Sequence, residues 1–339
     1  MTVFKTIAEL KSIGRLSKHD RLVNGLINSI DRGILKKGDM LPSVNSMVKE
    51  LGYARKTIVK AYAELKERGI VISKNRLGYY IANTDTQQEA KVALILYAFH
   101  TFQEEFYNTF IKSLGDNVKL DIFFHHNNIQ VFESILESIK SSYAFYVIAP
   151  IVKNKPKVRK LLSPIPANKL LLVDRYLKLD SEFSYTVQRF RKPMYQALVS
   201  LEDTLKNFNK YILLYKKNAD YPKGILNAFE AFFEERNLEI LIRPRYEAGS
   251  LEKGAVYFTI NDTDLWKILK DCKVQNIALG KEVGILSQNE NIIKEIISGG
   301  ITTFSTDFKA MASKASDFVK NKQQMHDIIS SKLVRRASL

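Results

Sequence analysis

GILKKGDMLPSVNSMVKELGYARKTIVKAYAELKERGIVISKNRLGYYI, residues 33–81, decides the first domain. Two glycines and Pro42 turn the chain, after which Ser43 can cap a helix whose inward face is Val44, Met47, Val48 and Leu51. Gly52 ends that helix early. A second helix begins at about Ala54 and runs to Arg68, with Ile58, Ala61, Tyr62 and Leu65 spaced to make one buried stripe. Upstream, Leu22, Leu26, Ile27 and Ile30, widened by Val23, predict an amphipathic helix from His19 to its stop at Gly33. Downstream, two apolar strands flank a basic loop at Ser73–Gly78, which reads as a hairpin wing. A short helix, a tight turn at Leu51–Ala54 and a second helix that begins with donors form a winged helix-turn-helix. In that motif the second helix enters the major groove by its N-terminal end.

The residue types suit the position. Arg55 can fork onto guanine O6 and N7 or onto a phosphate, and Thr57 can donate to a phosphate or offer its methyl to thymine. Backbone N–H groups near Ser43 and Arg55 offer anion sites. Arg55 is assigned to bases, and Lys56 and Lys60 to the backbone; Lys74 and Arg76, near the wing tip, reach for an adjacent groove or phosphate. Charge points the same way. Residues 1–82 hold 16 Lys/Arg against 7 Asp/Glu, while the remaining residues, over three times as many, hold 36 against 29. A local cationic surplus steers polyanions and gains affinity by releasing roughly 0.9 counterion per neutralised phosphate.

The same run resembles the N-terminal winged helix-turn-helix of the GntR family of bacterial transcription regulators. The resemblance rests on Gly38–Asp39, Leu41–Pro42–Ser43, Gly52–Tyr53–Ala54–Arg55, Thr57, Val59, Ala61, Tyr62, Leu65, Glu67–Arg68–Gly69 and Gly78–Tyr79–Tyr80, over about 65 residues. Relatives of this kind often carry Arg where Val44 stands and Ser where Ala54 stands. The Arg55–Thr57 segment is intact, and it is what the resemblance assigns to DNA.

The whole chain of 339 residues is long enough for two or more domains, and 45% hydrophobic with 26% charged residues is a globular composition. The lone Cys272 allows no internal disulfide and no CxxC pair, which suits a reducing compartment. No apolar run reaches the roughly 18 residues of a bilayer span, and MTVFKTIAEL lacks the apolar core of a secretion signal, so a cytoplasmic protein without membrane partners is expected. Enzyme chemistry finds no support. There is no GxSxG elbow, phosphate loop or GxGxxG, His125–His126 close a strand without further ligands at metal spacing, and Cys272 reads as a small core residue. No cofactor or metal is expected.

Asn83–Ala90 is polar and aperiodic, a linker between a domain at 1–82 and a second at 91–339. Beyond it, strand-like runs fall at Lys91–Tyr97, Leu120–Phe124, Ala144–Ala149, Lys169–Val173, Tyr211–Tyr215, Glu239–Ile242, Ala255–Ile260 and Val274–Leu279. Helical patterns separate most of them, among them Glu104–Leu114, Val131–Lys140, Pro193–Phe208, Pro222–Glu235, Thr263–Lys270 and Glu290–Ile297. The alternation implies an α/β domain of parallel sheets covered on both faces, with room for two lobes and a ligand site beyond the C-terminal strand ends. Those ends carry Tyr97–Ala98–Phe99–His100, Asp174–Arg175–Tyr176, Lys216–Lys217–Asn218 and Asn261–Asp262. Aromatic planes beside amide, carboxylate and guanidinium groups fit a small polyhydroxylated ligand. Helix capping, by Asp262 or Thr263 for instance, is the plainer use of such residues.

Residues 91–338 resemble the effector domain of the lactose-repressor family, itself similar to periplasmic sugar-binding proteins. The motifs are NKLLLVDRY, VYFTINDTDLWKIL, EVGILSQNENIIKEIISGGITTFSTDF and SKLVRRASL. The resemblance implies two lobes with a cleft, and it places Asp174, Asn261 and Asn289 at the sugar. In that family an arginine ahead of a Gly-Phe pair also enters the cleft; Ile225 stands there, ahead of Ala228–Phe229, with Lys223 or Arg175 as substitutes. Tyr97, Phe99 and His100 complete the candidate effector set. A GntR-like head on such a sensor resembles the arabinose-repressor type of regulator. The expectation is a dimeric repressor that binds palindromic operator DNA and is released by a small carbohydrate or sugar phosphate. Its competitor is a DNA-binding or structural protein whose second domain only dimerises, distinguished by DNA affinity that ignores added sugar.

Overall fold

The computed structural model describes every residue except 1, 11–16, 76, 85–89, 116–117, 140–142, 181, 218 and 322. The chain divides into two compact units, Met1–Lys91 with Asp116–Lys119, and Val92–Gly115 with Leu120–Leu339. Arg76, Asn218, Lys140 and most of the expected linker lie outside the described residues.

The first unit opens with α1 (Val3–Glu9), a helix without a sequence expectation, followed by α2 (Lys18–Asp31), α3 (Val44–Leu51) and α4 (Arg55–Glu67). Ile7 of α1 is fully buried, and Gly25 makes its approach possible: a Cβ there would sit 2.5 Å from Ile7 Cγ1. Ser43 caps α3 by accepting from Ser46 N–H at 3.1 Å, and Gly52 ends it in the left-handed conformation at φ 66°, which favours glycine. Ile58, Ala61, Tyr62 and Leu65 are all buried in one core with Leu22, Leu26 and Met47. The wing is the antiparallel pair β1 (Val71–Lys74) and β2 (Gly78–Ile81). The segment before α3 joins its edge through Leu41 N–H to Tyr79 O and Gly38 N–H to Ile81 O, both at 2.8 Å. Tyr62 then ties helix to turn, donating to Pro42 O at 2.6 Å.

The second unit is a two-lobed α/β fold. The first lobe runs β3 (Ala90–Leu96), α5 (Thr101–Leu114), β4 (Val118–Phe124), α6 (Ile129–Ser138), β5 (Phe145–Ile148), α7 (Lys155–Leu162), β6 (Leu170–Asp174) and β7 (Ser184–Gln188). The second runs α8 (Arg191–Ser200), α9 (Glu202–Leu205), β8 (Lys210–Leu214), α10 (Lys223–Glu234), β9 (Leu241–Arg243), β10 (Ala255–Thr259), α11 (Asp262–Val274), β11 (Gly284–Gln288), α12 (Ile292–Ile296) and β12 (Thr302–Thr306). The chain then returns to the first lobe for α13 (Phe308–Asn321) and β13 (His326–Ile329), and ends in the second with β14 (Ser331–Val334). The sheet orders are β13-β7-β6-β5-β3-β4 and β14-β12-β11-β10-β8-β9. Three crossovers therefore join the lobes, at 188–191, 306–308 and 329–331. The central strands pair in parallel; β14 alone among the described pairings of the second lobe runs antiparallel, against β12. Apolar cores cover both faces of the second-lobe sheet, as an internal parallel sheet requires.

Three expectations are corrected. Val274–Leu279 is not a strand: Val274 is the last residue of α11 and 74% exposed, and only Leu279 makes an isolated bridge, to Val283. Pro193–Phe208 is not one helix, because the pattern breaks at Leu201, where the Arg335 guanidinium takes the Ser200 carbonyl. Neither Asp262 nor Thr263 caps α11; Asn261 does, accepting from Asp264 N–H at 2.9 Å.

Candidate functional site

Two faces bring the candidate residues together, one in each unit. In the first unit Arg55, Lys56 and Lys60 are exposed on α4 and Thr57 is half-buried, while Ile58 and Ala61 point inward. Ala54 offers no side-chain cap, and of the first-turn N–H groups of α4 that of Thr57 goes to the Ala54 carbonyl at 2.9 Å, so those of Arg55 and Lys56 are the ones that could meet an anion. Arg55 is held: its Nη1 donates to Asn45 Oδ1 of α3 at 2.6 Å. Asn45 was missed in the sequence because it sits on the polar side of α3, and only the packing of α3 against α4 shows what it faces. Val44, where relatives carry Arg, is half-buried against the core. Lys74 forms the last ladder pair before the wing loop, opposite Gly78, and its ammonium lies 4.6 Å from the Tyr80 ring centroid. Arg76 falls outside the described residues.

The second face is the cleft between the lobes. Asp174 ends β6 and Asn289 follows β11, the matching position in the other lobe, and both have positive φ, 63° and 61°. Asp and Asn are the non-glycine residues that best tolerate this conformation, and it turns the chain sharply at each strand end. Arg175 spans the cleft. Its Nη2 donates to the Asp220 carbonyl at 3.1 Å, and its guanidinium stacks 5.0 Å from the Phe190 ring. Asn261 Nδ2 donates to Tyr221 Oη and to Asp264 Oδ2, each at 2.8 Å, so its cap duty and its place at the cleft coincide. Burial pushes the Tyr221 phenol up; Asn261 opposes this, and Asp264 and Tyr97 add to it, which puts Tyr97 of the first lobe within electrostatic reach of the second. Burial also pushes the Asp220 carboxyl up, against the pull of Arg175 and Lys153.

Not every candidate joins this group. Phe99 packs edge-on against Tyr107 and Phe124 of the first lobe, each with ring centroids 5.8 Å away, and stays exposed. His100 precedes α5, its N–H donating to Gln103 Oε1 at 3.1 Å, and its ring lies 5.7 Å from that of Tyr97. Lys223 is exposed at the start of α10, and Ile225 is buried in the second-lobe core. His125 is a wall residue: its Nδ1 accepts from Asn127 N–H, its Nε2 lies 3.0 Å from Ala149 O, and burial lowers its pKa to about 4. Cys272 is buried and its thiol is pushed up to about 11, chiefly by that burial.

Sequence reasoning missed Lys294, Gln188, Asp220 and Tyr221. Lys294 is wholly buried, its ammonium donating to Gln288 O and Asn289 O at 2.7 and 2.9 Å and pairing with Asp262 at 2.6 Å, so one side chain fixes the floor of the second lobe. A lysine inside the apolar run Ile292–Ile297 was the available signal. Gln188 donates to Asp174 Oδ1 and accepts from the Thr306 hydroxyl, and Ser331 Oγ lies 2.8 Å from that hydroxyl. Among the described residues no group of His, Cys, Asp and Glu is placed to hold a metal ion, and no helix is long and apolar enough to cross a membrane.

Residues 18–81 match the family model for bacterial regulatory proteins of the gntR family. The HTH-type transcriptional regulator Rv1152 of Mycobacterium tuberculosis is 34% identical over 74 residues, 22% of this chain and 61% of that protein. The uncharacterized HTH-type transcriptional regulator YjiR of Escherichia coli is 29% identical over 72 residues, 21% of this chain and 15% of its own length. The chain thus spans under two thirds of these relatives. Among solved structures, a LacI family transcriptional regulator from Lactobacillus casei with bound glucose superposes with a TM-score of 0.61 at 15% identity, covering 74% of this chain and 99% of the other. A periplasmic binding protein/LacI transcriptional regulator from Alkaliphilus metalliredigens, complexed with D-xylulofuranose, gives 0.60 at 14%, covering 74% and 99%. The trehalose repressor from Escherichia coli also gives 0.60 at 14%, covering 73% and 100%. The protein joins a GntR-like helix-turn-helix to a LacI-like two-lobed fold.

Proposed function

We propose that the protein is a transcription regulator whose affinity for operator DNA is set by a small carbohydrate bound between the lobes of its second domain. The observation that carries the DNA half is the outward face of α4, where Arg55, Lys56 and Lys60 stand exposed over a buried Ile58–Ala61–Tyr62–Leu65 stripe. The cleft half rests on Asp174, Arg175, Asn261 and Asn289 gathered at strand ends, in a fold shared with regulators solved with sugars. The regulator acts as a homodimer, since one small head covers a half-site and two related by a two-fold axis cover a palindrome. Ile292, Ile293 and Ile296, exposed together on α12, offer apolar surface for the second copy. Repression relieved by ligand is the sense of regulation. The test is selection of genomic DNA fragments by the full chain, followed by titration of a selected duplex with and without sugars. No enrichment of any sequence refutes the DNA reading; enrichment with affinity that no sugar or sugar derivative alters refutes the sensor reading.

A further inference from the structure

Helices α8 and α10 pack together on one face of the second-lobe sheet and leave an open depression of about 570 Å³ on their outer side. Gly224 sets the close approach at one end: a Cβ there would sit 2.9 Å from Phe190 Cβ, so a larger residue would press α10 away from the chain entering α8. Ala231 of α10 lines the depression with a small side chain where a longer one would fill the space. Phe190 and Tyr195, both half-buried, give it aromatic surface. Its volume falls in the range of roughly 300–1,000 Å³ that holds small ligands.

The rest of the lining is cationic. Arg189, Arg191 and Lys192 are exposed, and among the described residues none of the three pairs with a carboxylate. The carboxylate that lines the same depression, Glu235, is already engaged: the Tyr195 hydroxyl donates to it, and Arg236 Nη1 lies 3.7 Å away. Arg236 is itself fixed by Glu202 at 2.7 Å and by the Phe232 ring, whose centroid is 3.9 Å from the guanidinium. Three cations without an internal partner therefore face the aromatic surface. A bare inorganic anion would meet those cations and leave the rings wet, and a neutral ring would cover the aromatics and leave the guanidinium groups without an acceptor. An anion carried on a flat ring does both, because arginine forks onto a carboxylate or phosphate and also stacks on aromatic faces.

We propose that the α8–α10 depression is a second ligand site, separate from the cleft, for a small aromatic anion. The ring lies against Phe190 and Tyr195 beside Ala231, and the carboxylate or phosphate is held by Arg189, Arg191 and Lys192. The site stands whether or not the cleft binds a sugar.

The experiment is calorimetric titration of the full chain with naphthyl phosphate, naphthoate, naphthol and inorganic phosphate. At least one naphthyl anion should bind about tenfold or more tightly than both naphthol and inorganic phosphate, and that advantage should shrink as salt is raised. The tighter of the two anions assigns the head group to phosphate or to carboxylate. Arg191→Gln should weaken binding about threefold or more, and Ala231→Leu, which fills the space, about tenfold or more. Lys270→Gln, on α11 across the sheet, should change nothing. Arg191 is exposed and unpaired, so its variant should keep the thermal midpoint of the parent and report on binding alone. Naphthol that binds as tightly as the anions overturns the proposal, and so does inorganic phosphate that matches naphthyl phosphate or an absence of any binding. Affinity left unchanged by both Arg191→Gln and Ala231→Leu puts the probe elsewhere on the protein and overturns it as well.

Discussion

Asn45 and Arg55 can be tested as one unit. The bond from Arg55 Nη1 to Asn45 Oδ1, at 2.6 Å on an exposed surface, holds a side chain that otherwise loses about 2 kcal/mol of rotamer entropy when it docks. An exposed hydrogen bond contributes about 0.5–1.5 kcal/mol net, so Asn45→Ala should weaken operator binding by about 0.5–1 kcal/mol, two- to fivefold. Arg55→Ala should remove about 1–3 kcal/mol of base discrimination if the arginine reads guanine. If Asn45 works through Arg55, the double variant should bind as Arg55→Ala does alone. Fluorescence anisotropy with a selected duplex and a scrambled one, at several salt concentrations, measures all three. Equal loss on both duplexes for Arg55→Ala would move that residue to the phosphate class. An undiminished effect of Asn45→Ala in the Arg55→Ala background would refute the buttress.

Lys60→Ala should weaken every duplex alike and reduce the magnitude of the salt slope by about one, read from the same titrations; a loss confined to the selected sequence would contradict it. Asp174→Ala should abolish ligand binding while leaving DNA affinity without ligand unchanged, and an unaltered ligand titration would remove Asp174 from the site. His125 gives a pH dependence. Its pKa is lowered to about 4 in the folded chain against 6.5 unfolded, so protons favour the unfolded state as pH falls, and stability present above about 6.5 is lost progressively down to about 4. The full loss is about 3 kcal/mol, and it should show as a fall in urea midpoint from neutral pH to pH 5 that His125→Asn abolishes; an identical fall in both proteins would rule His125 out.

The first unit was legible because its signals are local. Ser43, Gly52 and the Ile58–Ala61–Tyr62–Leu65 stripe each act within a few residues of themselves, and all behave as their chemistry requires. Helix α1 was not legible: seven residues with two deeply inserted apolar side chains become a helix only against Gly25 of α2. The second unit shows the same division. Strands rich in Val, Leu and Ile were readable, but β12, TTFST, is wholly buried and mostly hydroxylic. Thr302 N–H donates to Ser338 Oγ and Thr302 Oγ1 to Arg336 O, partners far along the chain that no local pattern announces. In the site, Asp174 and Asn261 were visible because strand ends favour their types. Asp220 and Tyr221 matter through Arg175 and Asn261, partners that only the fold brings to them.

The hinge gives the cleft a means of acting on the lobes. Gln188, Thr306 and Ser331 belong to the three separate crossovers, yet they form one chain of hydrogen bonds, and its first member donates to Asp174. In the proposed sensor, a ligand hydroxyl at Asp174 would compete for the carboxylate that Gln188 already uses, so occupancy of the cleft and geometry of the hinge would draw on the same oxygens. A ligand shifts an equilibrium between lobe arrangements only by its difference in affinity for them, and moving a population from 1:99 to 99:1 takes about 5.5 kcal/mol. One neutral hydrogen bond contributes too little for that. Contacts that form only when the two lobes approach count in full towards that difference, which ties the response to Arg175, the side chain that already reaches from one lobe to the other, more strongly than to any group confined to one lobe.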